Sequence, residues 1–263
     1  MFNLDANKLK WIAMVGMVLN HAVIALREII PFWLQLPLFA AGGVTFPILA
    51  YFITEGLKHT SSLKKYIGRI LIFGLIAQPF HLLAFRAPIF NIMFTIALGI
   101  ALIILHGKIK IRWLFWVTFV VAALVTVLFD WGIIGVIVML MYHVISKESK
   151  RRTLPPIIAG GYNFVFSLLM IVLVSVAAAS PELQAIITEM LTDKGMDTNM
   201  LWVNLGFSVG VLFSIFLLRG YNGQRGKPTN KYLFYIAYPV HLLILGGIAF
   251  ALGLTDFASA LGL

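Results

Sequence analysis

The chain has no cysteine. That removes disulfides, a thiolate nucleophile and cysteine-bound metal from consideration. Charge is nearly as scarce, at 11% of 263 residues against about 25% in ordinary globular domains. Acidic residues number only 10 against 20 basic ones, for a net charge of +10. In place of charge stand apolar side chains, 61% of the chain, with a mean hydropathy of +0.98. A soluble surface cannot be clothed from such a composition. A soluble enzyme, a disordered chain and a nucleic-acid-binding domain are excluded, despite a pI near 9.9. No HExxH pattern, Walker loop, dinucleotide fingerprint or nucleophile elbow occurs, so neither a metal site nor a nucleotide loop is supported.

What is present is apolar runs. The composition selects an all-α polytopic bundle in which each spanning helix needs about 20 apolar residues. Nine candidate spans are expected, at 9–27, 33–56, 64–85, 89–106, 111–129, 131–147, 155–179, 200–218 and 231–253. They read as one membrane domain over 1–263. The first run lacks a small-residue cleavage site and reads as a retained span. The one long loop, about 180–200, carries Leu183, Ile186 and Ile187 at helical spacing and is expected to hold a short amphipathic helix.

Charge sets the orientation. With the N-terminus inside, all but Arg27, Arg86 and Lys194 of the 20 basic residues fall on the cytoplasmic side. The acidic loop with Glu182, Glu189, Asp193 and Asp197 falls outside, and nine spans leave the C-terminus outside too. Most of the net charge is thereby explained as topology signal and contact with anionic lipid.

Ionisable groups within spans are expensive and mark function by default. His21 lies eleven residues past Lys10, about 16 Å along the helix and about three turns on, so the two share a face. That puts His21 near mid-depth, with Asn20 beside it. His241 lies ten residues past Lys231 and reaches a similar level, after Tyr235, Tyr238 and Pro239. Glu55 closes the second span near Lys58, and Lys64, Lys65 and Arg69 open the third. Tyr221-Asn222-Gly223-Gln224-Arg225-Gly226-Lys227 is a turn-rich basic loop whose glycines let backbone amides approach an anion. Each has a plainer reading. A membrane histidine often only hydrogen-bonds across helices. Glu55 has Lys58 or Arg69 to pair with, Arg69 can snorkel, and His59, His81, His106 and His143 read as interfacial.

These residues form a set that resembles the TraX family of membrane proteins. The resemblance rests on Lys10 through His21, on Phe46-Pro47 with Glu55-Gly56 and Thr60, and on Tyr66 with Arg69. Asn91, Phe94-Thr95 and Gly99 continue it, and Tyr221-Asn222-Gly223, Arg225-Gly226, Lys231-Tyr232, Phe234-Tyr235, Tyr238-Pro239 and His241-Leu242 close it. It covers nearly the whole chain and is weakest over 105–200. The TraX family is in turn similar to the integral-membrane acyltransferase-3 group, which carries a basic residue, ten residues, then histidine in its first helix. Here that basic residue is Lys10 where arginine is common, which keeps the charge and loses bidentate phosphate geometry.

The resemblance implies acetyl-CoA as donor, bound from the cytoplasm, with the acetyl group passed across a bacterial-type cytoplasmic membrane. The acceptors it leaves open are an exported peptide or pilin N-terminus, a lipoprotein, a glycan or a lipid. On this reading Lys10, Lys58, Lys64, Lys65, Arg69, Tyr221, Asn222, Arg225 and Lys227 hold the donor. His21 is the general base, His241, Asn20 or Tyr238 orient it or meet the oxyanion, and Glu55 and Tyr235 support the site. The rival class is a transporter or flippase with His21 and His241 as a proton relay. Paired intramembrane carboxylates and internal repeats, which would favour it, are not evident in the sequence.

Overall fold

The computed structural model describes residues 3–177, 179–192, 198–227, 230, 232–256 and 258. Asp193, Lys194, Asp197 and Lys231 lie outside them. The described residues form an all-α bundle with no strand, only isolated bridges.

The chain runs α1 (Ala6–Leu26), α2 (Phe32–Gly43), α3 (Thr45–His59), α4 (Leu63–Phe85), α5 (Ile92–Lys108) and α6 (Arg112–Val125). A 3₁₀ turn at Thr126–Leu128 leads to α7 (Gly132–Val144), then α8 (Glu148–Arg151), α9 (Leu154–Ala177), α10 (Pro181–Thr192), α11 (Thr198–Arg219) and α12 (Leu233–Ala251). Among the described residues six helices are long and apolar enough to cross a membrane, counting Phe32–His59 and Glu148–Ala177 as continuous. The segments Ile92–Lys108, Arg112–Leu128 and Gly132–Val144 are apolar but shorter.

The expected span 33–56 is two helices. Pro47 has no N–H to give the Gly43 carbonyl, and the helix is interrupted at Val44. The 180–200 segment does carry the amphipathic helix α10, which buries Ile187 against α9 and leaves Leu183 and Ile186 exposed.

Starts and stops follow local chemistry. Asp5 caps α1 by accepting from the Lys8 amide at 2.8 Å. Asn91 caps α5, accepting from the Met93 amide at 3.0 Å, and its Nδ2 donates to the Gly74 carbonyl and Gln78 Oε1 at 2.8 Å each, binding α5 to α4. Arg86 ends α4 in the left-handed region at φ 53°.

Helix α1 sits centrally, against α2, α3, α4 and α12. Helix α11 packs into α2 and α9, α12 into α4, and α5 into α7. The α2–α11 crossing is set by glycine: a Cβ on Gly210 would run into the Ala40 carbonyl, and one on Gly43 into the Phe207 carbonyl. Such small-residue contacts replace the missing hydrophobic drive between helices in lipid. Helix α6 turns Trp113, Trp116 and Val121 outward, as a lipid-facing edge does.

The two ends of the bundle differ. At one end Leu4 bridges the 220–222 backbone, with Leu4 N–H donating to the Gly220 carbonyl and Asn222 N–H to the Leu4 carbonyl, both at 2.9 Å. The same end holds the C-termini of α3 and α11 and helix α8, tied together by Glu55, Glu148, Arg151 and Arg152. This is the basic end. At the far end Arg86 pairs with Glu28 at 2.5 Å, and Phe90 bridges Phe129.

Candidate functional site

A cavity of about 340 Å³ opens at the basic end. Lys10 of α1, Arg69 of α4, and Arg225 and Lys227 of the loop before α12 line its mouth, while Leu49, Ile53, Met93 and Ile96 line its depth. The loop reaches α1 because Ala6 N–H donates to the Gln224 carbonyl at 2.9 Å. Arg69 is held between rings, its guanidinium 5.7 Å from the Tyr66 centroid and 5.9 Å from that of Tyr235. Its Nε is buried without a hydrogen-bond partner. Lys10 Nζ rests 5.3 Å over Phe52. No ion pair among the described residues neutralises any of the four cations. Four unpaired cations around an apolar shaft suit a polyanionic head on a slender uncharged arm.

Of the other residues expected to hold the donor, none lines this cavity. Lys58 is exposed and paired to Glu55 at 2.8 Å. Lys64 and Lys65 are exposed on the first turn of α4. Tyr221 packs edge-on to Phe52 at 5.2 Å, under Arg152. The Asn222 amide donates to Asn3 Oδ1 at 2.6 Å and stiffens the loop. Glu55 pairs with Lys58 and with Arg151, not with Arg69. Tyr235 does line the cavity, stacked on Phe73 at 5.5 Å.

Deeper in the bundle, His21 and His241 meet. His21 Nδ1 lies 2.6 Å from His241 Nε2, and both residues are buried. His241 Nδ1 lies 2.9 Å from the Ala237 carbonyl. A carbonyl only accepts, so in the neutral pair His241 Nδ1 carries the hydrogen. His241 Nε2 then accepts from His21 Nδ1–H, and the free lone pair of the pair is on His21 Nε2. This two-step relay fixes one tautomer of His21 and leaves the Nε2 lone pair as the proton acceptor. Phe85 closes on the His21 ring edge-on at 5.0 Å.

His81 is not interfacial. It is fully buried on the face of α4 that packs against α12, stacked on Phe85 at 4.2 Å, with neither ring nitrogen partnered. His21 is also less central than its distance from Lys10 suggests. It stands five residues from the end of α1, so about 8 Å from the far end of a helix about 31 Å long.

A second, small cavity of about 40 Å³ lies against the histidine. Asn20, His21, Asp130 and Trp131 line it, and Leu49 lines both this cavity and the larger one. The two spaces are thus separated by one layer of side chains. Asn20 Nδ2 and the Tyr238 hydroxyl are buried without hydrogen-bond partners, with Tyr238 5.5 Å from His241 and 6.3 Å from His21 between ring centroids. In the sequence Asp130 is only the link between the spans 111–129 and 131–147. Its turn is unusual, because Trp131 has φ 64° and Gly132 φ 45°. A left-handed tryptophan costs roughly 1–2 kcal/mol, and the strain is borne at the rim of this cavity. Burial raises the Asp130 carboxyl to about 6, with only the Trp131 amide opposing the shift.

A profile of the family described as TraX protein matches residues 5–249. A probable fimbrial assembly protein FimC, serogroup H1, of Dichelobacter nodosus is 29% identical over 264 residues, covering 92% of this chain and 96% of that protein. No solved structure matches the chain.

Proposed function

The chain belongs to the TraX family, and from that premise we propose that it is an integral-membrane acetyltransferase. It moves an acetyl group from cytoplasmic acetyl-CoA to an amine or hydroxyl acceptor presented from the other side. The observation that carries this reading is the stacking of two sites on α1: a cation-lined cavity at the basic end, and a tautomer-fixed histidine one side-chain layer beyond it. The positive-inside rule makes the basic end cytoplasmic.

Acetyl-CoA supplies the activated acyl group as a thioester. Lys10, Arg69, Arg225 and Lys227 hold its phosphates, and the apolar depth of the cavity takes the pantetheine arm toward Leu49. The distance from Lys10 to His21, about 16 Å along the helix, is comparable to the length of that arm. His21 Nε2 accepts the proton of the acceptor as its nitrogen or oxygen bonds to the acyl carbon. The carbon–sulfur bond breaks, and the proton on His21 passes to the departing thiolate. His241 holds His21 in the basic tautomer, and the unpartnered Asn20 amide and Tyr238 hydroxyl are the donors nearest the developing oxyanion.

A relative described as a fimbrial assembly protein supports an exported peptide, such as a pilin N-terminus, as acceptor. A lipoprotein, glycan or lipid head group would meet the same chemistry. The test is release of free CoA thiol from acetyl-CoA by purified protein, with His21→Ala as control. Full release by His21→Ala overturns the reading. A proton-coupled transporter would release no thiol at all.

A further inference from the structure

The mechanism leaves one ionisable group at the site unused. Asp130 is half-buried and lines the cavity it shares with His21. Among the described residues it forms no ion pair, and only the Trp131 amide meets it. Other carboxylates of the chain, at the ends of the bundle and outside this cavity, are matched: Glu28 by Arg86, Glu55 by Arg151 and Lys58, Glu148 by Arg151 and Arg152. A half-buried carboxylate without a counter-ion carries a desolvation cost, and it is held by a turn that is itself strained at Trp131. Two such costs at one cavity rim point to a ligand that repays them when bound. The charge of that ligand is positive. Its reacting end is small, since about 40 Å³ holds little more than one water-sized group.

We infer that Asp130 anchors the acceptor, receiving its cationic primary amine end in the small cavity beside His21. This rests on the acetyltransferase reading and narrows its acceptor to an unbranched terminal amine. The ammonium hydrogen-bonds the Asp130 carboxylate and gives it one proton, which the carboxylate passes to water. The neutral amine is left facing His21 Nε2. It then bonds to the thioester carbon while its second proton goes to His21, the carbon–sulfur bond breaks, and the thiolate takes that proton from His21. The net products are the amide, CoA thiol and one proton in water.

The experiment uses full-length protein in detergent, acetyl-CoA, and two short synthetic peptides of one sequence. One begins with glycine and its free amine, the other with glycolic acid and its hydroxyl. Transfer is read as a mass shift of the peptide. Asp130→Asn is expected to raise KM for the glycine peptide roughly tenfold to a hundredfold, the loss expected for one charge-assisted hydrogen bond. KM for acetyl-CoA and thermal stabilisation by acetyl-CoA stay unchanged, and Asp130→Glu recovers part of the loss. The glycolic peptide, without a cation, is insensitive to Asp130→Asn. An unchanged KM for the glycine peptide in Asp130→Asn overturns the proposal while leaving the acetyltransferase reading standing if His21→Ala is inactive. Equal loss with both peptides, or a rise in KM for acetyl-CoA, also overturns it. A wild type that modifies neither peptide and releases no thiol overturns both readings together.

Discussion

His21 Nδ1 lies 2.6 Å from His241 Nε2, although 220 positions separate the two residues. The Ala237 carbonyl at the other side of His241 gives the contact its direction, because it forces a hydrogen onto His241 Nδ1. His21 therefore acts and His241 orients. Removing His21 should abolish acetyl transfer, a loss of about 10²–10⁴-fold for a general base. His241→Ala should lower kcat by less, and His241→Gln should recover part of it by restoring an acceptor toward His21. Thiol release measures the rate, and thermal stabilisation by acetyl-CoA shows separately whether the donor still binds. Loss of donor binding in either variant would assign the pair to packing instead.

The cavity mouth separates the basic residues into two groups. Arg69→Ala and Arg225→Ala should each raise KM for acetyl-CoA about tenfold, since each removes a charged contact from a partly enclosed site. Lys64→Ala and Lys65→Ala, exposed on α4, should change it less than about twofold. Steady-state kinetics with varied acetyl-CoA decide this. Equal effects in both groups would make the mouth a diffuse field and not a site.

Arg151 carries a structural load at the same end. Its side chain is 6% exposed, paired to Glu55 and Glu148, and its guanidinium sits 4.7 Å over Tyr51. Arg151→Ala takes one of two cationic partners from each glutamate, leaving Lys58 to Glu55 and Arg152 to Glu148, beside the Tyr51 hydroxyl that reaches Glu148 at 2.5 Å. Leaving a buried charge wholly unpaired costs about 3–5 kcal/mol, and the remaining partners and partial exposure of both glutamates place this loss below that range. Thermal melting in detergent should show the loss, with KM for acetyl-CoA little changed in the surviving folded protein.

How much of this was written plainly in the sequence depends on how local each signal is. The long apolar helices and the amphipathic α10 follow from composition and spacing over a few turns. The shared face of Lys10 and His21 is one helix's periodicity, and the structure puts Lys10 in the cavity mouth and His21 one layer above it. What the sequence could not show is lateral. Lys58, Lys64 and Lys65 are as basic as Arg69, and only the packing of α3 and α4 decides which cation turns inward. His81 lies near a helix end and so looked interfacial, yet the face it shares with α12 buries it completely. Asp130 reads as a connector in the sequence because nothing along the chain reveals that its turn folds back beside α1. The one local hint was Trp131-Gly132, a dipeptide whose glycine tolerates the left-handed backbone that the turn adopts.

Asp130 also has a stability signature that distinguishes an unpaired carboxylate from a paired one. Its folded value is raised to about 6, against about 3.9 for an unfolded aspartate. Between those values the folded chain holds a proton that the unfolded chain has lost, so stability falls as pH rises through that window and stays at its lower level above it. His21 and the Tyr238 hydroxyl face this carboxyl from α1 and α12, and among the described residues no basic side chain relieves it. Asp130→Asn removes the penalty. The variant should melt higher than wild type at pH 7.5, and the difference should vanish as pH falls toward 4. Acceptor binding should move in the opposite sense, with KM for the amine peptide rising as pH falls below about 6, where wild-type Asp130 becomes neutral. A variant that melts lower than wild type at pH 7.5 would mean that the carboxylate already has a cationic partner inside the protein. In that case it would have no charge left to offer an acceptor.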